Sequence, residues 1–245
     1  MTELRGYPVY YVVGLPRTGS TFLGDWVARR VGALNAGEVH QTLWALGQID
    51  DQRYETQKRF HSKPEQREKT LGAAQTDDFW REIMSPGSVD PYRKLIDVAS
   101  KTSGALVDTS KVDRGVPGYV AAGAAVQVLH IVRPFAAWKA SMVKHQRRMA
   151  QPEIPGPRLL ASFVRNNRAF KSLGKRYPYR MIRHEDLSRL DSILGELPVR
   201  SNGYSRHELF GTPDYEAIFD PARAQNANGR FDGLIGQLSF GGANR

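Results

Sequence analysis

The sequence predicts an α/β fold in which helices flank a central, mainly parallel sheet. Three observations carry this. A β-branched and aromatic run at residues 7–13 (YPVYYVV) ends in a glycine-containing loop, and a helical pattern follows over 21–31. Residues 125–132 (AVQVLHIV) read as a core strand that ends at Arg133-Pro134 and runs into a helix over 136–149. Shorter apolar runs alternate with helical patterns elsewhere, and strands alternating with helices build parallel sheets.

Each element has its own signal. In the first helix Phe22, Leu23, Trp26, Val27 and Arg30 share a face. Residues 34–36 read as a short second strand, followed by Gly37-Glu38. From about 40 to 101 the chain is polar and mostly helical in pattern, with breaks at Pro64, Gly72 and Ser85-Pro86-Gly87; this reads as a helical insertion. Residues 105–108 (ALVD) form a third strand before Thr109-Ser110-Lys111. Leu159, Leu160, Phe163, Val164, Asn167, Phe170 and Leu173 mark an amphipathic helix, and residues 179–183 (YRMIR) a last strand. Beyond Pro198 the chain is rich in Gly, Asn and Pro and reads as loops. A length of 245 residues suits one domain over 1–245.

Composition narrows the function. The chain has no cysteine, which excludes a disulfide framework, a zinc knuckle and a thiol nucleophile. It has no long apolar stretch, so a membrane-spanning helix, stable membrane insertion and a secretory leader are not expected. The simplest location is the cytoplasm. The net charge is +10, and it is concentrated. Between Arg133 and Arg189 stand 14 Lys and Arg against 3 acids; the rest of the chain is balanced at 21 against 22. Such a surplus reads either as solvated helix faces or as a field that gathers an anionic ligand. Nucleic acid is not the expected partner, because the segment has no aromatic-interleaved stacking pattern and no DNA- or RNA-binding motif.

The loop at residues 14–21 reads GLPRTGST. A nucleoside-triphosphate loop has the form G-x-x-x-x-G-K-[ST]. Gly14, Gly19 and Thr21 fit that spacing, but Ser20 occupies the lysine position and the cation stands earlier, at Arg17. Strand, loop and helix are in the right context, and amide groups at a helix start favour an anion. In open parallel sheets the site lies beyond the carboxyl ends of the strands. There the sequence places Arg17, Glu38, Ser110 with Lys111, Arg133, and His184-Glu185-Asp186. That set suits a highly anionic ligand. No His, Asp and Glu group has metal-ligand spacing, so no metal is expected.

The loop, with Phe22-Leu23 after it, resembles the 5′-phosphosulfate loop of sulfotransferases, which use 3′-phosphoadenosine 5′-phosphosulfate (PAPS) as donor. Arg17 ahead of Thr18-Gly19-Ser20-Thr21 matches the family's basic residue ahead of [ST]-G-[ST]-[ST]. Arg133 with Ser141 (RPFAAWKAS) resembles its 3′-phosphate motif. Residues 107–111 (VDTSK) resemble a V-D-x-S-K stretch of bacterial members, and residues 183–187 (RHEDL) an R-Y-E-D-L stretch with His for Tyr. Together the matches span roughly residues 9 to 187. The segment 41–101 matches no motif of the family, and His207-Glu208-Leu209-Phe210-Gly211 matches its C-terminal nucleotide-covering loop only loosely. The resemblance implies a three-layer P-loop-type fold. It implies PAPS as donor, 3′,5′-ADP as product, and a hydroxyl acceptor on a small molecule, a carbohydrate or a lipid.

The resemblance also implies roles. Arg17 would stabilise the bridging oxygen as charge develops. The amides of Gly19 to Thr21, with the Thr18, Ser20 and Thr21 hydroxyls, would cradle the 5′-phosphate. Arg133 and Ser141 would hold the 3′-phosphate, and Glu38 would be the base. Lys111 reads either as a donor or leaving-group contact or as a surface lysine, and Glu38 also reads as a helix N-terminal acid. His40, His145, His184 and His207 read as structural or surface residues, Trp26 and Trp138 as core, and Glu185-Asp186 as a helix start. The competing functions are a P-loop nucleoside or small-molecule kinase or NTPase, and a non-catalytic adenine-nucleotide binder. The missing loop lysine argues against the first.

Overall fold

The computed structural model describes residues 6–51, 64–85, 90–200 and 202–209. Six strands form one sheet in the order β5-β4-β1-β3-β2-β6, and every pairing is parallel. The strands are β1 (Pro8–Gly14), β2 (Leu34–Asn35), β3 (Leu106–Lys111), β4 (Ala125–Val132), β5 (Tyr179–Arg183) and β6 (Ser205–Arg206). The helices are α1 (Ser20–Val31), α2 (Val39–Ala45), α3 (Pro64–Thr76), α4 (Asp78–Met84), α5 (Pro91–Ala99), α6 (Gly115–Ala121), α7 (Phe135–Arg148), α8 (Gly156–Ser172) and α9 (Leu190–Ile193). A 3₁₀ segment, His184–Arg189, joins β5 to α9.

The three layers follow from side-chain alternation in strands buried on both faces. Val9, Tyr11 and Val13 of β1 point into one core, with Val39, Leu43, Trp80, Leu95 and Tyr119 from the insertion helices and α6. Tyr10 and Val12 point the other way, to Leu23, Val27 and Val31 of α1 and to Leu187 and Leu190. Helix α1 lies close to the sheet at Gly24, where a Cβ would overlap the Thr109 side chain. It ends at Gly32, whose φ of 61° few other residues adopt readily.

The insertion is helical, as predicted, and its helix starts are capped. Asp77 accepts a hydrogen bond from the Trp80 amide at the start of α4. Asp90 accepts one from the Arg93 amide, with Pro91 opening α5. Two expectations fail locally. Gly72 was read as a break but lies within α3, on a face where a side chain would meet nothing. An exposed helix tolerates a glycine at a cost of about 1 kcal/mol. The tail from 198 is not wholly loop, because Ser205–Arg206 adds a sixth strand beside β2. Two residues are too few for a period-2 pattern. Pro86-Gly87 and the tail from 210 lie outside the described residues. Among those described, no helix is long and apolar enough to cross a membrane.

His130, in the middle of β4, is fully buried. Its Nε2–H donates to Asn167 Oδ1 at 3.0 Å, and its Nδ1 accepts from the Tyr179 hydroxyl at 2.6 Å. Both ring nitrogens are used by the neutral form, and burial lowers its pKa from 6.5 to about 4. The unfolded chain therefore binds this proton near pH 6.5, and the folded chain only near pH 4. Stability from this group is present above pH 6.5 and lost towards 4, by up to roughly 3 kcal/mol. His130→Gln should flatten the acid loss by about that amount. Urea unfolding at pH 7 and 4.5 checks this; parallel losses in both proteins would contradict it.

Candidate active site

The loop between β1 and α1 is held from behind. The Thr18 hydroxyl donates to the Leu15 carbonyl at 2.7 Å. Trp138 Nε1–H donates to the Pro16 carbonyl at 2.9 Å, and Arg133 to the Arg17 carbonyl at 3.1 Å. His184 Nδ1–H donates to the Thr18 carbonyl at 2.7 Å. Four consecutive carbonyls are thus occupied by donors from the loop itself, α7, the end of β4 and the 3₁₀ segment. With its carbonyls spent, the loop offers its amides, as anion-binding backbone nests do. Helix α1 begins at Ser20 with no side chain capping its first turn, so the amides there also remain for a ligand.

Tight packing explains the residue types. A Cβ at Gly14 would stand 2.7 Å from the Ile131 carbonyl. One at Gly19, where φ is 95°, would stand 2.8 Å from Leu187 Cδ1. Arg17 is left-handed at φ 70° although it is no glycine. Such a conformation costs about 1–3 kcal/mol and persists only where the surroundings impose it. Thr18 departs from expectation. Its hydroxyl proton is spent on Leu15 and the residue is buried, so its contribution to a ligand comes through its amide.

Cations converge here, and among the described residues neither Arg17 nor Arg133 has an acidic partner. Both are partly buried, and the Nε atom of each is buried with no hydrogen-bond partner among those residues. Burial, and then the Arg148 charge, lowers the Arg17 pKa; burial, and then Arg17, lowers that of Arg133. His145 is held below the usual histidine range by burial and then by Arg17 and Arg148. Ser141, His145 and Arg148 lie at i, i+4 and i+7 on α7, so they share one face of that helix. His145 and Arg148 were not assigned to the site from sequence, and their spacing from Ser141 is the signal that points to them. His184 is neutral over the ordinary range, because burial pushes its pKa down to about 4. That keeps its role as a one-proton brace for Thr18.

The acidic half lies on the other side of the loop. The register sets Lys111 of β3 beside Val13, and Ile131 of β4 beside Gly14. Going across the sheet edge, the order is Arg133, the loop, Lys111 and then Glu38. Glu38 is the N-cap residue of α2, so its reading as a helix-start acid holds. Its carboxylate caps no amide, however; it is ion-paired with the Lys111 ammonium. Lys111 is therefore no ordinary surface lysine. It is also left-handed, at φ 63°.

A buried brace presents it. Asp108 Oδ1 accepts from the Ser110 amide at 2.7 Å and from the Ser110 hydroxyl. Ser110 Oγ in turn accepts from the His40 amide at 2.9 Å. Burial pushes Asp108 up to about 7. The His40 ring is buried between Tyr92 and Asp51, at 2.6 and 3.0 Å, which makes it structural as expected. Glu185 and Asp186 stand in the first turn of the 3₁₀ segment, as an acid-favouring helix start predicts.

No family model matches the chain, and no curated protein matches it. Among solved structures it is similar to the sulfotransferase domain of the olefin synthase of Synechococcus PCC 7002. The TM-score is 0.58 at 19% identity, over 98% of this chain and 97% of that one. The described residues therefore have a sulfotransferase-type α/β fold.

The uncompensated cations make a testable anion site. Millimolar pyrophosphate should raise the melting temperature of the wild type by several degrees. Arg17→Ala and Arg133→Ala should each cut that rise by more than half. Arg17→Ala should not lower the ligand-free melting temperature much, since it removes a like-charged neighbour; Arg133→Ala also gives up the bond to the Arg17 carbonyl and should lower it by a few degrees. Equal rises in all three proteins, read by differential scanning fluorimetry, would count against the site.

Proposed function

We propose that this chain is a sulfotransferase that takes the sulfuryl group from PAPS to a hydroxyl of a small-molecule, carbohydrate or lipid acceptor. The observation that carries the reading is the pairing of two halves at one sheet edge. An amide cradle with unbalanced arginines stands on one side of β1, and a carboxylate on a lysine stands on the other. The fold it shares with a sulfotransferase domain supports it. Ser20 argues against a nucleoside-triphosphate site, because the usual lysine position carries no cation to reach the β- and γ-phosphates.

The residues fit the donor's two anionic ends. Amides of Gly19 to Thr21 with the Ser20 and Thr21 hydroxyls hold the 5′ end, and Arg133 with Ser141 the 3′-phosphate. Arg148, whose charge acts on Arg17, adds a further donor. When bound, PAPS supplies an activated S–O bond. The new bond forms between the acceptor oxygen and sulfur, and the bond to the bridging oxygen breaks. The electron pair stays with the 5′-phosphate of 3′,5′-ADP. Arg17 stabilises that oxygen with a charge-assisted fork of hydrogen bonds. Glu38 takes the acceptor proton, and Lys111 orients the carboxylate until it does so. Transfer of this kind needs positioning and electrostatics more than covalent help.

Calorimetric titration without magnesium tests the donor. 3′,5′-ADP should bind at micromolar concentration, with 5′-AMP and ATP far weaker. Arg133→Ala should weaken 3′,5′-ADP about tenfold to a hundredfold, from a bond worth about 1.5–3 kcal/mol, and weaken 5′-AMP clearly less, through the loop carbonyl it holds. Tighter binding of ATP, or binding only with magnesium, would replace this reading with a nucleotide-triphosphate one. Glu38→Gln should keep 3′,5′-ADP binding and lose at least a hundredfold in turnover. An unchanged rate would move the base elsewhere.

A further inference from the structure

Glu208 lies far along the chain from the loop and the acidic half, yet it is built into the wall of the site. The segment that carries it is anchored on three sides. The His207 amide donates to the Asn35 carbonyl at 2.8 Å, extending the edge of the sheet beyond β6. The His207 ring meets the Asp77 carboxylate at 3.0 Å, at the start of α4. Trp80 Nε1–H donates to the His207 carbonyl at 2.5 Å. Glu208 is then pressed onto Gly37, the residue before Glu38. A Cβ at Gly37 would overlap the Glu208 side chain, and Gly37 is left-handed at φ 69°. Glycine at 37 is what lets this second carboxylate approach.

Its two oxygens differ. Oε2 is paired with Arg206 at 2.9 Å, and the side chain is only 3% exposed. Oε1 is buried with no hydrogen-bond partner among the described residues. A buried carboxylate oxygen left unsatisfied is costly and calls for an explanation. The charged groups facing Glu208 are Arg206 on its own segment, Lys111 at the end of β3 and Glu38 at the cap of α2. Lys111 carries three N–H donors, of which the Glu38 pair needs one.

We propose that Glu208 is a positioning residue that shares Lys111 with Glu38, drawing the ammonium to its own free Oε1 and so releasing the Glu38 carboxylate to meet the acceptor hydroxyl. This rests on Glu38 being the base. A carboxylate held by an ammonium has that lone pair occupied; a second carboxylate on the same ammonium gives it somewhere to go. Burial, with the Glu38 charge adding to it, pushes the Glu208 carboxyl above the ordinary range, against the pull of Arg206 and Lys111. Acid should therefore switch the device off, since a protonated Glu208 no longer attracts Lys111.

Two measurements test it, one independent of turnover. The first is the ¹⁵N signal of the Lys111 ammonium, assigned with Lys111→Arg, in the 3′,5′-ADP complex. In Glu38→Gln the signal should stay protected from solvent exchange, because Glu208 holds the ammonium. Only Glu38→Gln with Glu208→Gln should lose protection. Loss in Glu38→Gln alone would overturn the sharing. The second is PAPS hydrolysis to 3′,5′-ADP and sulfate, with water as the hydroxyl acceptor. Glu208→Gln should lower kcat about tenfold with unchanged 3′,5′-ADP binding, and the upper part of the wild-type acid limb, which Glu208 contributes, should be missing, leaving only that of the base. Glu208→Asp should recover most of the rate and the limb. A normal rate and limb in Glu208→Gln, with Glu38→Gln inactive, would refute this role alone. A normal rate in Glu38→Gln would refute the base itself.

Discussion

Backbone polarity in one short loop is the constraint on which the rest of the structure depends. A loop that must present amides has to dispose of its carbonyls. Here Thr18, Trp138, Arg133 and His184 each take one. Those four donors come from four places in the chain, and they explain why α7 and the 3₁₀ segment lie where they do. His184 must stay neutral and Trp138 must stay buried for the loop to keep its shape. The same contacts bring Arg133 beside Arg17 and so concentrate positive charge where a ligand's negative charge belongs.

Like charges held together are a standing cost, and the fold carries it through burial elsewhere. Both faces of β1 are packed, one by the insertion helices and one by α1. Arg17 and Lys111, two of the three left-handed residues other than glycine among those described, are both site cations. Strain and unbalanced charge coincide at the candidate site, the pattern that functional sites show. On the opposite flank, the Asp108–Ser110 brace performs for Lys111 what the carbonyl donors perform for Arg17.

Much of this was legible in the residues. The strand runs at 125–132 and 179–183 coincide with β4 and β5; β4 is largely apolar because both its faces are covered, whereas β5 is an edge strand in which only Ile182 is buried. Gly14, Arg17, Arg133 and Glu38 were singled out because each stands at or just beyond a strand end, and Gly19 because it opens α1; the structure places them at those points. The two-residue β6, the unbroken helix through Gly72 and the inward hydroxyl of Thr18 were not legible. β6 depends on Leu34 and Asn35, distant in the chain; Gly72 is tolerated because its side of α3 is open, and the Thr18 hydroxyl turns back to Leu15 only once the loop has its shape. Glu208 was quoted only within a loosely matched stretch, since nothing near it in sequence shows that it will lie on Gly37.

The sequence by itself determined the layered α/β arrangement, the loop that suits an anion and the segment that holds the surplus charge. Those are properties of periodicity, spacing and composition, which are local. The tertiary structure decided which distant donors tie back the loop carbonyls, that Lys111 belongs to Glu38, that the Arg148 charge acts on Arg17, and that Glu208 reaches the acidic half. These are pairings across the sheet edge. They are set by strand order and register, and no short-range pattern encodes which strands will be neighbours.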